Sequence, residues 1–292
     1  MKFIISTDTS CDIPRDQLKQ LNVPFVPLTY IIDGESHQDN FSTQSQFKDF
    51  YARVRGGALP KTSQINTEEH AEFFVDLIKN GAKNILHLCL SSALSATHSG
   101  AIIAAKQVMG EYEDVKIVIV DTKAATCVGA FLLNEALKLK AEGKQIDEAA
   151  AILNELKLKI FGYAMADDLS HLKRGGRLSA TKAFIGTLLK VKPVLSIDKE
   201  GALNVVHKAK GTKSVFAFFA EQLKEYGHDF KNQEYFIAHA DCEDVADELI
   251  EYLRAAGANG KPSKSFIGPV IGAHTGAGTL VIAFKSGQER LN

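Results

Sequence analysis

Short apolar runs alternate along this chain with longer segments in which apolar residues recur every three or four positions. Runs typical of buried strands occur at residues 3–6, 26–32, 85–90 and 115–120. The last is almost wholly β-branched, which predicts a strand of a parallel sheet buried on both faces. The dipeptide Asp33-Gly34 predicts a hairpin turn. The helical spacing predicts helices at residues 66–79, 93–109, 125–141 and 146–160.

The pattern restarts after residue 160. Further predicted strands lie at residues 161–165, 194–197, 203–207, 235–240, 265–270 and 279–284, with a glycine-rich turn before the last. Predicted helices lie at residues 179–189, 212–226 and 244–256. This alternation predicts an α/β fold with parallel or mixed sheets. We place two α/β domains at residues 1–160 and 161–292.

The composition argues against several classes of function. The chain has 292 residues, 34 basic and 35 acidic, and no cluster of Lys and Arg that would indicate a nucleic-acid surface. No apolar stretch approaches the ~18 residues of a membrane span, and the first apolar run is too short for a signal peptide. We therefore expect a cytoplasmic protein. The four cysteines, at 11, 89, 127 and 242, form no CxxC pair, so neither a zinc site nor a disulfide framework is indicated.

Motifs of familiar enzymes are missing or incomplete. The Walker A, GxGxxG, HExxH and GxSxG patterns do not occur with the required spacing. Asp8 follows the first strand as in aspartyl-phosphate hydrolases, but Ser10 stands where their second Asp belongs. A serine hydrolase or acyltransferase using Ser95 with His274 stays open, because such a pair is defined by geometry rather than by sequence position.

Three separate segments, 61–64, 90–97 and 271–276, place hydroxyl side chains or glycine where predicted strands end. Helix N-termini offer free N–H groups and the positive end of the helix dipole, which suit a carboxylate or phosphate. Each segment alone has an ordinary explanation, since Ser92 or Ser95 can cap a helix and Thr62 with Ser63 can form a turn. The prediction of an anionic head-group site depends on all three together.

These segments, in this order, resemble the DegV family of bacterial lipid-binding proteins. The resemblance covers nearly the whole chain and is carried by residues 4–12, 26–28, 61–64, 90–97, 120–122, 172–178 and 268–276. The chain departs from the family pattern at Ala96, where glycine is usual, and at His98, where tyrosine is usual.

The resemblance implies a fatty acid held in a tunnel between two α/β domains, with no metal and no cofactor. It implies that the carboxylate is bound by Thr62, Ser95, His274 and Thr275, with Ser63 and Ser92 supporting the head-group loops. In the family, such proteins are carrier subunits without catalysis of their own. A separate ATP-binding kinase phosphorylates the bound acid to an acyl phosphate for phospholipid metabolism.

Two further features have both a structural and a functional interpretation. The basic turn with Arg174 and Arg177 is either a solvated turn or a docking patch for the kinase. The apolar residues of the predicted helix after Ser179 are either plain core or tunnel wall: Phe184, Ile185, Leu188 and Leu189. Neutral hydroxyls at the head group would leave the carboxylate free to attack ATP, whereas an Arg clamp would hold it too strongly. A lipid-sensing module that works without a kinase also remains open.

Overall fold

The computed structural model describes residues 3–178 and 191–290. The strands within these ranges are β1 (Ile4–Asp8), β2 (Phe25–Val26), β3 (Thr29–Ile32), β4 (Glu35–Gln38), β5 (Lys61–Ser63), β6 (Asn84–Cys89), β7 (Lys116–Asp121), β8 (Ile160–Met165), β9 (Lys192–Ile197), β10 (Leu203–Ala209), β11 (Tyr235–His239), β12 (Pro262–Phe266) and β13 (Leu280–Lys285). The helices are α1 (Arg15–Gln20), α2 (Gln44–Arg55), α3 (Thr67–Lys79), α4 (Thr97–Glu111), α5 (Thr126–Ala141), α6 (Ile146–Leu156), α7 (Ser170–Arg174), α8 (Thr212–Tyr226), α9 (Glu243–Ala255) and α10 (Pro269–Thr275). The predicted helix at 179–189, with Phe184, Ile185, Leu188 and Leu189, lies outside the described residues.

The first sheet is parallel, with strand order β2-β1-β6-β7. Successive residues of β6 face opposite sides, as a strand requires. Ile85 packs with α3 and α4, whereas Leu86 packs with α5 and α6. Parallel pairing of the 115–120 run is therefore confirmed. Its burial on both faces is confirmed as well. Ile117 and Val120 lie on opposite faces and are both buried, one in the cluster with α3 and α4 and the other in the cluster with α5 and α6.

The second sheet is mixed, with strand order β10-β9-β8-β13-β11-β12, and only β11 and β12 in it are parallel to each other. Helices α8 and α9 pack against one face through residues such as Phe216 and Phe219. Helix α5 covers the opposite face and also contacts β1 of the first sheet. The predicted domain junction near residue 160 falls at the start of β8, whereas α5 packs across it.

The third sheet is a small antiparallel one, with strand order β4-β3-β5. The Asp33-Gly34 turn joins β3 to β4, which confirms the predicted hairpin. The single strand predicted at 26–32 is wrong, because it divides between two sheets: Val26 pairs with β1 and Thr29 with β4 and β5. Pro27 lies at the break and has no N–H to continue a ladder.

The chain around residue 270 differs from its prediction. The strand predicted at 265–270 ends at Phe266, and a helix stands where a glycine-rich turn was expected. Gly268 is its N-cap and Pro269 its first residue, a position that suits proline because the missing N–H has no helical partner there. His274 and Thr275 consequently lie in the last turn of α10, away from the positive end of its dipole.

Two helix boundaries differ from the prediction, and one helix was not predicted. Helix α4 begins at Thr97 rather than near 93, and α6 ends at Leu156. Helix α2 was not predicted, although Thr43 and Gln46 form a capping box and its apolar residues are helically spaced. Within the described residues, every helix is too short or too polar to cross a membrane.

Candidate functional site

A cavity of about 300 Å³ opens between the loops of the first sheet and the face of the mixed sheet. This is at the lower end of the roughly 300–1,000 Å³ that is usual for ligand pockets. Most of its wall is apolar and comes from both halves of the chain: Leu28, Leu90, Leu94, Val128, Ala164, Leu172, Leu195, Ile197, Leu203, Val270, Ile271 and Val281. The wall can therefore accommodate an apolar chain.

Polar side chains also line this cavity. The four predicted carboxylate ligands, Thr62, Ser95, His274 and Thr275, all line it, although they come from three distant segments. Ser63 lines it as well. The hydroxyl Oγ1 of Thr62 lies 2.8 Å from Nε2 of His274, across 212 positions of sequence. Antiparallel pairing of β5 with β3 places Thr62 there, and the last turn of α10 supplies His274.

His274 is neutral at physiological pH. Burial, together with the positive charges of Arg177 and Arg174, lowers the pKa of its imidazole to about 4. When Nε2 carries the ring hydrogen, it donates to Thr62 and leaves the Thr62 hydroxyl free to donate to a ligand. Oγ1 of Thr275 is buried without a hydrogen-bond partner among the described residues. A carboxylate would satisfy both hydroxyls.

Ser95 lies in the loop between β6 and α4. Its Oγ accepts the Thr97 N–H at 3.3 Å and lies 2.9 Å from the Thr97 hydroxyl. Oγ1 of Thr97 in turn accepts the Ile65 N–H at 3.3 Å. If Thr97 donates to Ser95, the Ser95 hydroxyl hydrogen is free to reach into the cavity. Thr97, which the sequence prediction missed as a supporting residue, thus holds Ser95 against the chain that follows β5.

The chain is similar to known proteins over nearly its whole length. The family model described as "Uncharacterised protein, DegV family" matches residues 2–286. This chain belongs to the DegV family. A DegV domain-containing protein of Clostridium perfringens is 39% identical over 283 residues, which are 97% of each chain.

Solved structures of the DegV family share the fold. One reports fatty acid binding of a DegV family protein from Thermus thermophilus; it has a TM-score of 0.87 and 30% identity, and the match covers 98% of this chain and 100% of that one. Another is DegV, a fatty acid binding protein from Bacillus subtilis, with a TM-score of 0.85, 30% identity, and coverage of 98% and 99%. The predicted α/β fold with parallel and mixed sheets is therefore confirmed.

Ser92 does not reach the cavity of this DegV chain. It is exposed, and its Oγ accepts a hydrogen bond from Lys123 Nζ at 3.1 Å. Its neighbour Ser91 is the buried residue, donating from Oγ to the Gly201 carbonyl at 2.8 Å. The prediction that Ser92 supports the head group is at odds with this placement, because the turn after β6 points Ser91 inward and Ser92 outward.

Arg177 occupies a different place from the one that the sequence suggested. It lines the cavity, and its Nε donates to the Leu94 carbonyl at 3.0 Å. Arg174 is exposed, with Nη2 2.9 Å from His171 Nδ1. The lining of the DegV cavity thus includes an exposed guanidinium in addition to the neutral hydroxyls.

A hydrolytic pair of Ser95 and His274 is not assembled. His274 Nε2 is bonded to Thr62, and Ser95 Oγ is bonded to Thr97. Nδ1 of His274, which an acidic residue would orient in a triad, is buried without a partner among the described residues. The geometry therefore does not favour the serine hydrolase or acyltransferase alternative.

Two buried carboxyl groups support α10 from its other end. Asp12 Oδ1 accepts the Gly268 N–H at 2.9 Å, and Asp39 Oδ2 accepts the Val270 N–H at 3.4 Å. Burial raises the pKa of Asp12 to about 7, and it raises the pKa of Asp39 and of nearby Asp8 as well. This role of Asp12 and Asp39 was not predicted, because nothing near either residue in the sequence indicates a contact with α10.

Proposed function

We propose that this chain binds one long-chain fatty acid in the cavity. The apolar wall takes the acyl tail, and Thr62, Ser95, His274 and Thr275 take the carboxylate. The observation that carries the proposal is a mainly apolar cavity whose lining includes Thr62, Ser95, His274 and Thr275, with Thr62 and His274 in direct contact. Fatty acid binding by the Thermus thermophilus and Bacillus subtilis relatives, each 30% identical, supports it.

The tail supplies most of the affinity. Burial of each CH₂ is worth ~0.8 kcal/mol, so about a dozen methylenes contribute roughly 10 kcal/mol before association and ordering costs are subtracted. The polar end then sets the orientation, because a carboxylate buried without donors would cost several kcal/mol. The acid is therefore held with its head group at Thr62 and its tail against the mixed sheet.

The carboxylate end faces the surface. Ser63, Gln64 and Arg177 line the cavity and are exposed, so the head group lies near the opening. This placement supports presentation to a separate ATP-binding kinase: a carboxylate oxygen attacks the γ-phosphorus of ATP, the bond to ADP breaks, and an acyl phosphate forms. In this proposal the chain is a cytoplasmic carrier for phospholipid metabolism and is not itself the catalyst.

The lipid part of the proposal is tested by extracting the purified, denatured protein and identifying bound acids by mass spectrometry. We expect close to one equivalent of a long-chain acid, and we expect the delipidated protein to rebind added oleate. Absence of lipid from the extract, together with failure of the delipidated protein to take up oleate, would contradict fatty acid binding.

The kinase part is tested separately with Arg174→Glu. The exposed Arg174 does not line the cavity, so the variant should bind oleate normally and form less acyl phosphate with an ATP-binding kinase subunit. Loss of oleate binding would count against a docking role. Normal binding with no acyl phosphate from the wild-type protein would favour the lipid-sensing alternative.

A further inference from the structure

Three metal-ligating side chains meet inside the first half of the molecule, away from the cavity. His87 and Cys89 are two positions apart on β6 and point to the same side of the sheet. His70 faces them from α3. The nearest ligand atoms of the three residues all lie within 4.8 Å of one another, and each residue is at most 1% exposed. Cysteine spacing could not indicate this cluster, because two of its three members are histidines.

The hydrogen bonds of the two rings leave one nitrogen of each available. His70 Nδ1 lies 3.0 Å from the Asn66 carbonyl, which can only accept, so Nδ1 carries the hydrogen and Nε2 has a free lone pair. His87 Nδ1 is 2.9 Å from the Ser6 hydroxyl, and when Nδ1 donates to that hydroxyl, Nε2 of His87 also has a free lone pair. Both Nε2 atoms are buried without a partner among the described residues. A bonded Nδ1 behind a free Nε2 is the arrangement typical of metal-binding histidines.

Ordinary core packing does not account for the free nitrogens. The rings of His70 and His87 are 5.6 Å apart and nearly perpendicular, and phenyl rings of Phe73 and Phe74 surround His87. Aromatic edges cannot satisfy a nitrogen lone pair as a strong donor does. A metal ion bound by both nitrogens would satisfy them.

We propose that His70, His87 and Cys89 bind one copper(I)-class ion, a soft monovalent metal. Two imidazoles and a thiolate are ligands that such an ion accepts. The Cys89 thiol releases its proton to solvent on binding, and the ion keeps its oxidation state. Copper(I) with one thiolate and two neutral rings has no net charge, which suits a buried site, whereas Zn²⁺ would leave one uncompensated positive charge and would lack a fourth ligand.

The position of the cluster gives the ion a structural consequence. His70 lies in the helix that follows β5, which carries Thr62, and Cys89 directly precedes Leu90 of the cavity wall. An ion at this point joins α3 to β6 and so holds together two segments that flank the cavity. We therefore expect metal binding to raise the melting temperature of the delipidated protein, independently of any fatty acid.

The test uses the full chain under anaerobic, reducing conditions with a chromogenic copper(I) chelator as competitor. Metal is offered to the native protein and also during refolding, so that burial of the site does not prevent entry. The wild type should hold one equivalent, with one sulfur and two nitrogen neighbours by X-ray absorption. Loss of a residue that only hydrogen-bonds to a metal ligand weakens metal binding roughly 10–100-fold. Cys89→Ala removes a ligand itself, so it should weaken copper(I) binding by more than this.

Cys127→Ala is the matched control, since Cys127 is an equally buried free thiol on α5. It should bind copper(I) like the wild type. His70→Gln and Cys89→Ser provide second variants if Cys89→Ala does not fold. Equal binding by wild type and Cys89→Ala, or no copper retained by either route, would overturn the site. Uptake of Zn²⁺ by these residues with exclusion of copper(I) would overturn the assignment of the ion.

Discussion

The hydrogen bond between Thr62 and His274 affects which ligands the polar part of the cavity can bind. Their contact at 2.8 Å satisfies one ring nitrogen, whereas the buried Thr275 hydroxyl has no partner among the described residues. A buried polar atom without a partner costs about 1–3 kcal/mol. A carboxylate that accepts from these hydroxyls removes that cost, and a purely apolar ligand does not. Arg177, an exposed residue of the lining, adds a positive charge, and the expectation that neutral groups hold the carboxylate stays a prediction.

Replacing the Thr62 hydroxyl should weaken binding, and it should also cost some stability because Nε2 of His274 loses its partner. Thr62→Val keeps the shape of the side chain, and loss of a hydrogen bond to a charged group costs about 1.5–3 kcal/mol, or roughly 10–150-fold in affinity. Displacement of a fluorescent fatty acid from the delipidated protein measures the effect. Ser92→Ala is the control, because Ser92 is exposed and outside the cavity. Equal affinities for both variants would contradict the assignment of Thr62.

Among the elements, the approach of β8 to α5 shapes the cavity floor. A Cβ atom at Gly162 would lie 2.4 Å from Cγ2 of Val128, and both residues line the cavity. Glycine is therefore required where the mixed sheet passes under α5. The same close packing joins the two halves of the chain, because α5 precedes residue 160 and β8 follows from it.

Gly162→Ala should lower the free energy of unfolding by about 1–3 kcal/mol through overpacking. Adding Val128→Ala removes the clashing methyl groups, so the double variant should be more stable than the sum of the single effects by about 0.5–3 kcal/mol. Urea unfolding measures all three. Gly110→Ala is the control, since nothing lies within 4 Å of a Cβ there. Strict additivity would rule out the steric explanation.

Helix α10 depends on carboxyl groups at its N-terminus. Asp12 and Asp39 accept its first N–H groups, and the other end of the helix carries His274. Burial raises the pKa of Asp12 from 3.8 to about 7, so the folded state holds its proton more tightly than the unfolded state does. The contribution of the Asp12 carboxyl to the free energy of unfolding is fully present below pH 3.8 and is lost as the pH rises through about 7.

Asp12→Asn should remove this pH dependence. Asn still accepts the Gly268 N–H but does not ionise, so the variant should gain stability over the wild type between pH 4 and 7. The gain is on the order of 4 kcal/mol at most, from 1.36 kcal/mol per pKa unit. Urea unfolding at several pH values gives the difference. Asp49→Asn, an exposed acid, is the control and should track the wild type. A constant difference across this pH range would show that Asp12 does not titrate as inferred.

At the scale of the whole molecule, the two halves of the chain share a core and enclose the cavity together. One apolar cluster contains residues of the first sheet, such as Leu86, and residues of the second, such as Val281 and Ala283. The cavity wall likewise draws on both. In our proposal, a bound fatty acid would contact both halves and would stabilise them together.

Oleate should raise the melting temperature of the delipidated protein in a concentration-dependent way. At 100 times the dissociation constant the stabilisation is about 2.7 kcal/mol. Hydrogen exchange should slow on both sides of the cavity, in the loop at 90–97 and in β8 and β9. Protection confined to one half would contradict a ligand held between them.

The sequence by itself determined the features whose signals are contiguous. The hairpin at Asp33-Gly34, the capped helix α3 and the parallel strands β6 and β7 follow from turn chemistry, capping and β-branched runs, all of which act over a few residues. The resemblance to the DegV family named four ligand residues, and the structure places all four on one cavity wall. The role of each in binding a carboxylate stays a prediction.

Only the tertiary structure decided where distant polar groups meet. Helix α10 replaced a predicted turn because Asp12 and Asp39, far away in sequence, bind its first N–H groups. Arg177 reached the cavity, and Ser92 turned away from it, through contacts with other loops. The cluster of His70, His87 and Cys89 depends on how α3 packs against β6. Such contacts are set by the packing of sheets and helices, which no local pattern encodes.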